Sequence, residues 1–439
     1  MFSIVNIARV TLAKLLTFLY TVLSVFGSGI VIDPSLPEAP DDFQPVVRFA
    51  VCSDIHLDGD PQQNEAIRFA QLFQKSYAYA SSCEYDKLDA VIVCGDMTNN
   101  GLPEQYKVFK DVINANIKDE TQLLVTMGNH EFIAYRDNDA SVGTRVFEEQ
   151  MERNDDNSYV INGYHFIVCS YAEDGKTFTK KASWLDSEIR AAKKDTGDKP
   201  IFVFQHPAPF ATCYGSLSWG DVTIPTVLCK YPQVVDFSGH SHYPVNDPRS
   251  IWQSNFTALG CGTLSYFETD LDGISGNFPY NTHEAAQFYI VEADAAGNVK
   301  IMPYDLITDT FFDNEYYLSG LAKRQYAYTY LRMKTIDKAP VFSDDTVVKT
   351  TVNDNGETVL TFTGADDKFV AESYKISVTK NALKVFDDNF SGKYMYLNEE
   401  DIYDVNLGVL GKGTYKVSIV AMNAYAELSA PLNYTFTVE

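Results

Sequence analysis

The sequence has 439 residues, 45% of them hydrophobic and 13% aromatic, which excludes a disordered chain and leaves apolar surface for more than one core. Its formal net charge of -24 argues against nucleic-acid binding, which needs clustered Lys and Arg, and means that any phosphate ligand must be met by local cations. The seven cysteines show no C-x-x-C spacing, so thiolate zinc sites are not expected.

Residues 1–29 read as a targeting segment. Arg9 and Lys14 precede or open an apolar run to Phe26, and Gly27-Ser28-Gly29 offers a small-residue cleavage site, as in a secretory signal peptide. Hydrophobicity resumes at Ile30 and Ile32, so an uncut N-terminal membrane anchor is the alternative. On either reading the body is extracellular or membrane-anchored and faces outside. Pro34, Pro37, Pro40 and Pro45 make residues 30–45 a linker, because proline removes donors and stiffens the chain.

From Val46 strands and helices alternate, the pattern of an α/β domain. Val46 to Ser53, Asp89 to Cys94 and Leu123 to Met127 read as buried strands. Pro61 to Ala80 and Pro103 to Ile117 carry apolar residues at helical steps. Val160 to Ser170 and Ile201 to Gln205 are further strands, with a helix around Trp184, Leu185 and Ile189 between them. Val234 to Phe237 is another strand. Residues 305–333, dense in Tyr and Phe, are expected to wrap over this first domain, 46–333. Residues 340–439 change texture: short period-two strands with turn signals such as Asn353-Asp354-Asn355-Gly356 suggest an all-β sandwich. Its closing strands, Gly413 to Asn423 and then Ser429-Ala430-Pro431, resemble those of fibronectin type III or immunoglobulin-like modules. Cys52, Cys94 and Cys169 read as small buried hydrophobes. Cys213 and Cys229 flank one loop, and their pairing is not decided by spacing.

The strand ends share a composition. They are Asp54-Ile55-His56, Gly95-Asp96, Gly128-Asn129-His130-Glu131, Gln205-His206-Pro207 and Gly239-His240-Ser241-His242. Ligands of α/β sheets bind at the carboxyl ends of strands, so these five loops are expected to converge. Each motif alone fits an ordinary polar loop. Together, in order and each after an apolar strand, they hold five of the seven histidines. His165 and His283 fall outside them and read as structural. Asp, Asn and His without Cys suit Mn, Fe or Zn. Two carboxylates, one amide and four imidazoles are too many for one ion. They suit two divalent ions about 3.5–4 Å apart that share a bridging hydroxide and clamp a phosphoryl group.

In this order the motifs resemble the calcineurin-like metallophosphoesterase superfamily over roughly residues 46–305. The resemblance implies a four-layer α/β/β/α sandwich of two mixed sheets. It assigns Asp54, His56 and His242 to one metal, Asn129, His206 and His240 to the other, and Asp96 to both. It makes His130 the group that assists the leaving oxygen and Glu131 the residue that orients the His130 imidazole. Protein phosphatases of this group continue G-D-x-x-D-R-G. Here Asn99 and Asn100 stand at the last Asp and Arg, so phosphoprotein is not the expected substrate. Asn99 also stands where purple acid phosphatases carry a tyrosine ligand. The form is closer to the general phosphohydrolase and cyclic-nucleotide phosphodiesterase-like branches. The expected substrate is a small phosphoester, of diester or nucleotide type in preference to a monoester. Phe210, Tyr214, Trp219, Asp221 and Tyr231 follow a ligand loop and either stack on substrate or pack the loop; Tyr243 either bonds substrate or packs.

A competing reading is a non-catalytic surface binding or adhesion protein on the same scaffold. Retention of all the candidate ligands and His130 favours the enzyme. The C-terminal module shows no aromatic platform for carbohydrate, so its expected part is a spacer or a contact with cell surface or wall.

Overall fold

The computed structural model describes residues 35–172, 175–271 and 273–439. The leader expected over 1–29 and the first linker residues lie outside them. No helix among the described residues is long and apolar enough to cross a membrane. The chain divides into two units. One runs to Glu268 and resumes over Thr282–Arg332; the other joins Thr269–Asn281 to Met333–Glu439.

In chain order the first strands are β1 (Pro45–Cys52), β2 (Ala90–Cys94), β3 (Gln122–Thr126), β4 (Asn157–Ile161), β5 (Tyr164–Val168), β6 (Ile201–Pro207), β7 (Val234–Gly239), β8 (Ile251–Gln253) and β9 (Thr257–Gly260). A hairpin, β10 (Thr269–Leu271) and β11 (Ile274–Asn277), precedes β12 (Gln287–Asp294), β13 (Val299–Asp305), β14 (Thr310–Phe311) and β15 (Tyr316–Leu318). One sheet has the order β14-β13-β12-β1-β2-β3, with β15 also on β13; the other has the order β4-β5-β6-β7-β9-β8. Both are mixed. β1, β2 and β3 are parallel while β12 is antiparallel to β1. β5, β6, β7 and β9 are parallel, with β4 and β8 antiparallel at the edges. Helices Asn64–Ser82, Pro103–Asn116 and Ala182–Thr196 supply crossovers that parallel pairs require.

Period two in β1 explains the layers. Phe49 points between the sheets and meets Phe166, Phe202, Phe204 and Phe237 with ring centroids 5.0–6.0 Å apart. Ala50 and Cys52 face the other way and share a core with Phe69, Leu72 and Phe73 of the first helix. Phe69 stacks on Phe109 of the second helix at 5.1 Å.

Three expectations need correction. The run Val160 to Ser170 is a hairpin rather than one strand, because Asn162 and Gly163 both take positive φ, the turn that an Asn-Gly pair favours. Pro61 lies in a turn, and the first helix begins at Asn64. The segment after 305 extends the first sheet through β14 and β15 before it packs. Cys213 and Cys229 are both free thiols, the first buried, the second partly exposed.

The second unit is all β apart from one short helix. Its strands are β16 (Val348–Val352), β17 (Thr358–Thr363), β18 (Ala371–Lys380), β19 (Leu383–Ser391), β20 (Ile402–Asn406), β21 (Gly413–Asn423) and β22 (Leu432–Val438). They form sheets β16-β17-β20 and β19-β18-β21-β22. Alternate residues Leu360, Phe362, Tyr374, Ile376, Tyr403, Val417 and Ile419 make the core. The hairpin β10–β11 belongs here: Asn281 Nδ2 donates to Glu399 Oε1 at 2.6 Å, and the Tyr396 hydroxyl to the Tyr280 carbonyl at 2.5 Å.

Candidate metal centre

The loops after β1 and β2 are tied together by their backbones. The amides of Ile55, His56 and Leu57 donate to the carbonyls of Asp96, Asp96 and Met97 at 2.9–3.0 Å. The other loops lock on through side chains. Asp54 Oδ2 accepts from the His240 amide at 2.9 Å, and Asp96 Oδ1 from the His130 amide at 2.8 Å. Each carboxylate thus spends one oxygen on the scaffold and leaves the other for the centre.

The backbone here is strained. Asp54, His56, Asp96, His240 and His242 all have positive φ, from 47° to 71°. Side chains other than glycine rarely adopt that region, and each instance costs about 1–3 kcal/mol unless the surroundings enforce it. The turn swings these side chains inward. Close packing does the enforcing: a Cβ at Gly239 would lie 1.8 Å from Ser53 Oγ, and one at Gly128 2.1 Å from Asp96 Oδ1.

Three overlapping groups of donors result, of which one, His56 with Asp96 and His130, joins the other two. In one, His242 Nε2 lies 3.1 Å and His56 Nε2 3.7 Å from Asp54 Oδ1. In the other, His206 Nε2 lies 3.0 Å from Asn129 Oδ1 and 3.1 Å from Asp96 Oδ2, and His240 joins Asp96 and His206. Asp96 Oδ2 also lies 3.9 Å from His56 Nε2. That carboxylate faces both groups. The seven expected ligands are therefore brought together, and His130 Nε2 stands 3.9 Å from Asp96 Oδ2.

The remaining ring nitrogens fix the tautomers. Nδ1 of His206, His242 and His130 lies 2.7, 2.9 and 2.8 Å from the carbonyls of Cys94, Tyr266 and Asn99. Donation there fixes the ring orientations and turns each Nε2 inward. Burial would push Asp54 and Asp96 up, but His242 and His206 beside Asp54, and His206 beside Asp96, hold both below the usual carboxylate range. Burial also opposes a charge on His206, yet Asp96 and Asp54 lift it to about 9, while burial and His206 push His240 down to about 3. Asp54 Oδ1 is buried and faces His242 and His56 Nε2, and the donors are all oxygen or nitrogen, so the residues fit divalent cations.

Glu131 is placed differently from expectation. It accepts from the amides of Asp96 (3.0 Å), Gly128 (2.7 Å) and Thr98 (3.0 Å) and from Thr98 Oγ1 (2.9 Å). The Asn99 carbonyl, not Glu131, holds the His130 imidazole. Glutamate reaches back into its own turn and ties the β2 and β3 loops, which a shorter aspartate would not span. Burial and Asp96 push its carboxyl up to about 7 against the pull of those donors.

Of the aromatic candidates, Trp219 approaches the centre, edge-on to His240 at 5.8 Å. Tyr214 packs on Tyr243 at 4.2 Å, Tyr231 bonds Asp186, and Asp221 caps the helix Ile224–Leu228. Tyr266 was missed by sequence reasoning: its ring stacks on His242 at 4.1 Å. Its contribution is partly a backbone carbonyl, which leaves no residue signature.

Residues 47–244 match the family model described as calcineurin-like phosphoesterase. They form a calcineurin-like phosphoesterase domain. Its facing mixed sheets agree with that family's fold. The chain is 28% identical over 180 residues to glycerophosphodiester phosphodiesterase GpdQ of Enterobacter lignolyticus. It is 29% identical over 170 residues to a probable enzyme of the same name from Arcobacter nitrofigilis. Each match covers 36% of this chain and 57% of the relative, so the chain spans little more than half the length of those proteins. A purple acid phosphatase from yellow lupin seeds superposes with a TM-score of 0.40 at 13% identity, covering 62% of this chain and 53% of its own.

Proposed function

We propose that this protein hydrolyses a small phosphodiester at a centre of two divalent ions, Mn, Fe or Zn. The observation that carries the reading is Asp96 Oδ2, one oxygen facing histidines of both donor groups. Asp54, His56 and His242 would hold one ion, Asn129, His206 and His240 the other, with Asp96 between them. When bound, such a pair lowers the pKa of water and neutralises phosphoryl oxygens.

The chain's own groups do the rest. His130 is accessible: its side chain is 27% exposed, against 4% or less for His56, His206 and His242. With Nδ1 fixed on the Asn99 carbonyl, its Nε2 is the atom that would hand a proton to the departing oxygen. Glu131 holds the Asp96 and Gly128 backbones so that the Asp96 and Asn129 side chains keep their aim. Trp219 and Tyr266 offer apolar faces on either side for the alcohol portions. The names of the two relatives support a diester, as do the asparagines at 99 and 100 where phosphoprotein phosphatases carry Asp and Arg.

The leader expected over 1–29 supports export or membrane tethering, with the body outside. The all-β unit, read as immunoglobulin- or fibronectin-like, suits a spacer or a cell-surface contact. The test is metal analysis of the purified protein with an assay of chromogenic diesters and monoesters in added Mn. Two ions with diester turnover are expected. A full complement of metal without turnover of either ester class would favour a surface-binding protein instead.

A further inference from the structure

We infer that Arg68 is a positioning residue for the Asp54–His56–His242 half of the centre, acting through residues 263–266. This rests on the assignment of those three side chains to one ion. Arg68 sits on the first helix and is 6% exposed. Its guanidinium hydrogen-bonds three backbone carbonyls: Nη1 to Leu264 and Ser265, both at 3.2 Å, and Nη2 to His283 at 2.7 Å. A buried guanidinium is costly unless its donors are met. Its rigid fork can hold several carbonyls at once, which no neutral side chain does.

The segment it grips meets the metal half at three points. Thr263 Oγ1 donates to the Asp54 carbonyl at 3.0 Å, and the Leu264 amide to the same carbonyl at 3.3 Å. The Tyr266 carbonyl accepts from His242 Nδ1 at 2.9 Å, while the Tyr266 ring covers the His242 face. With the carbonyls of 264 and 265 turned to Arg68, the next carbonyl is turned to His242. Arg68 therefore sets the tautomer and the aim of one ligand, and the backbone of another, without touching either. The second half, around His206 and Asn129, has its outer hydrogen bond outside the segment that Arg68 grips: His206 Nδ1 donates to the Cys94 carbonyl.

The experiment compares full-length wild type with Arg68→Met, each loaded with Zn. Per-site affinity is measured by chelator competition, and exchange of the His242 Nδ1 proton by NMR. Outer hydrogen-bond partners of metal ligands typically contribute about 10–100-fold in affinity. One site is expected to weaken by that factor, the other to stay within about twofold, and the His242 proton to exchange faster. Equal weakening of both sites, or none, overturns the inference. Should Arg68→Met not fold, Arg68→Lys keeps the charge with fewer donors. It is expected to show the same one-sided loss, smaller in size, and two unchanged sites again overturn it. A wild type that holds fewer than two ions would sink the dinuclear reading instead, and the His242 proton alone would then judge Arg68.

Discussion

His56 and His242 are 186 residues apart in sequence, yet their Nε2 atoms lie 3.1 Å apart. His242 commits its other nitrogen to the Tyr266 carbonyl, so its inner nitrogen presents a lone pair. That nitrogen and His56 Nε2 stand beside the buried Asp54 Oδ1, an arrangement that a cation stabilises.

Substitutions in the two halves should therefore separate the ions. His242→Ala is expected to leave one ion per chain and His240→Ala the other, while Asp96→Ala loses both or weakens both. Elemental analysis after gel filtration checks the counts. Diester turnover should fall at least about 100-fold in each variant, since on the proposed reading both ions would act on the phosphoryl group. Asp96→Ala with two ions and normal turnover would remove the dinuclear reading.

His130 lies with His56 and Asp96 but is a ligand of neither ion in the proposed assignment, so its variant should behave differently. His130→Ala is expected to retain both ions and to lose about 100- to 10,000-fold in kcat, the usual range for a general acid. The loss should grow with the pKa of the leaving alcohol. A series of aryl and alkyl diesters measures that slope; a loss equal for good and poor leaving groups would rule out proton donation by His130.

Glu131 should matter for stability first. Glu131→Gln turns an amide donor towards backbone N–H groups that now meet an acceptor. The cost expected is about 1–3 kcal/mol for the unmet pair, read as a lower urea midpoint. A fully stable variant that lost only the leaving-group dependence of His130 would restore the imidazole-orienting role.

Asp236 gives a pH prediction away from the ligands. It is fully buried in β7, its carboxyl accepts from Gln205 Nε2 at 3.1 Å, and burial raises its pKa well above the usual range. A raised carboxyl favours the neutral folded form. Stability is therefore lost as pH rises above the unfolded value towards the folded one, by up to about 1.4 kcal/mol per pH unit. Asp236→Asn removes that titration. Its advantage over wild type in chemical unfolding should be larger at pH 8 than at pH 5; a difference that does not change with pH would contradict this.

Much of the centre was legible because its side chains are rare and follow strands. Asp54, His56, Asp96, Asn129, His206, His240 and His242 each end an apolar run, and parallel topology gathers such ends. The partners that aim them were not legible. Cys94, Asn99 and Tyr266 act through carbonyls, which every residue has. Arg68 reaches loops 196 and 215 positions away, beyond any local pattern. Glu131 was found but misassigned, since the resemblance made it the partner of the His130 imidazole, whereas its carboxylate is taken up by the Asp96, Thr98 and Gly128 amides. The positive φ values could not be foreseen, because aspartate and histidine at a strand end fit extended geometry equally well.

The hairpin Thr269–Asn281 leaves the first unit just beyond Tyr266 and returns before His283, having given its contacts to Tyr396 and Glu399. The all-β unit is thus not a tail on a finished enzyme. A truncation after residue 339 would strand the hairpin without those two residues, and residues 340–439 expressed alone would lack two strands. Exchanging this unit for another means moving two separate segments, with the first splice point between Glu268 and Thr269, three positions from the carbonyl that holds His242.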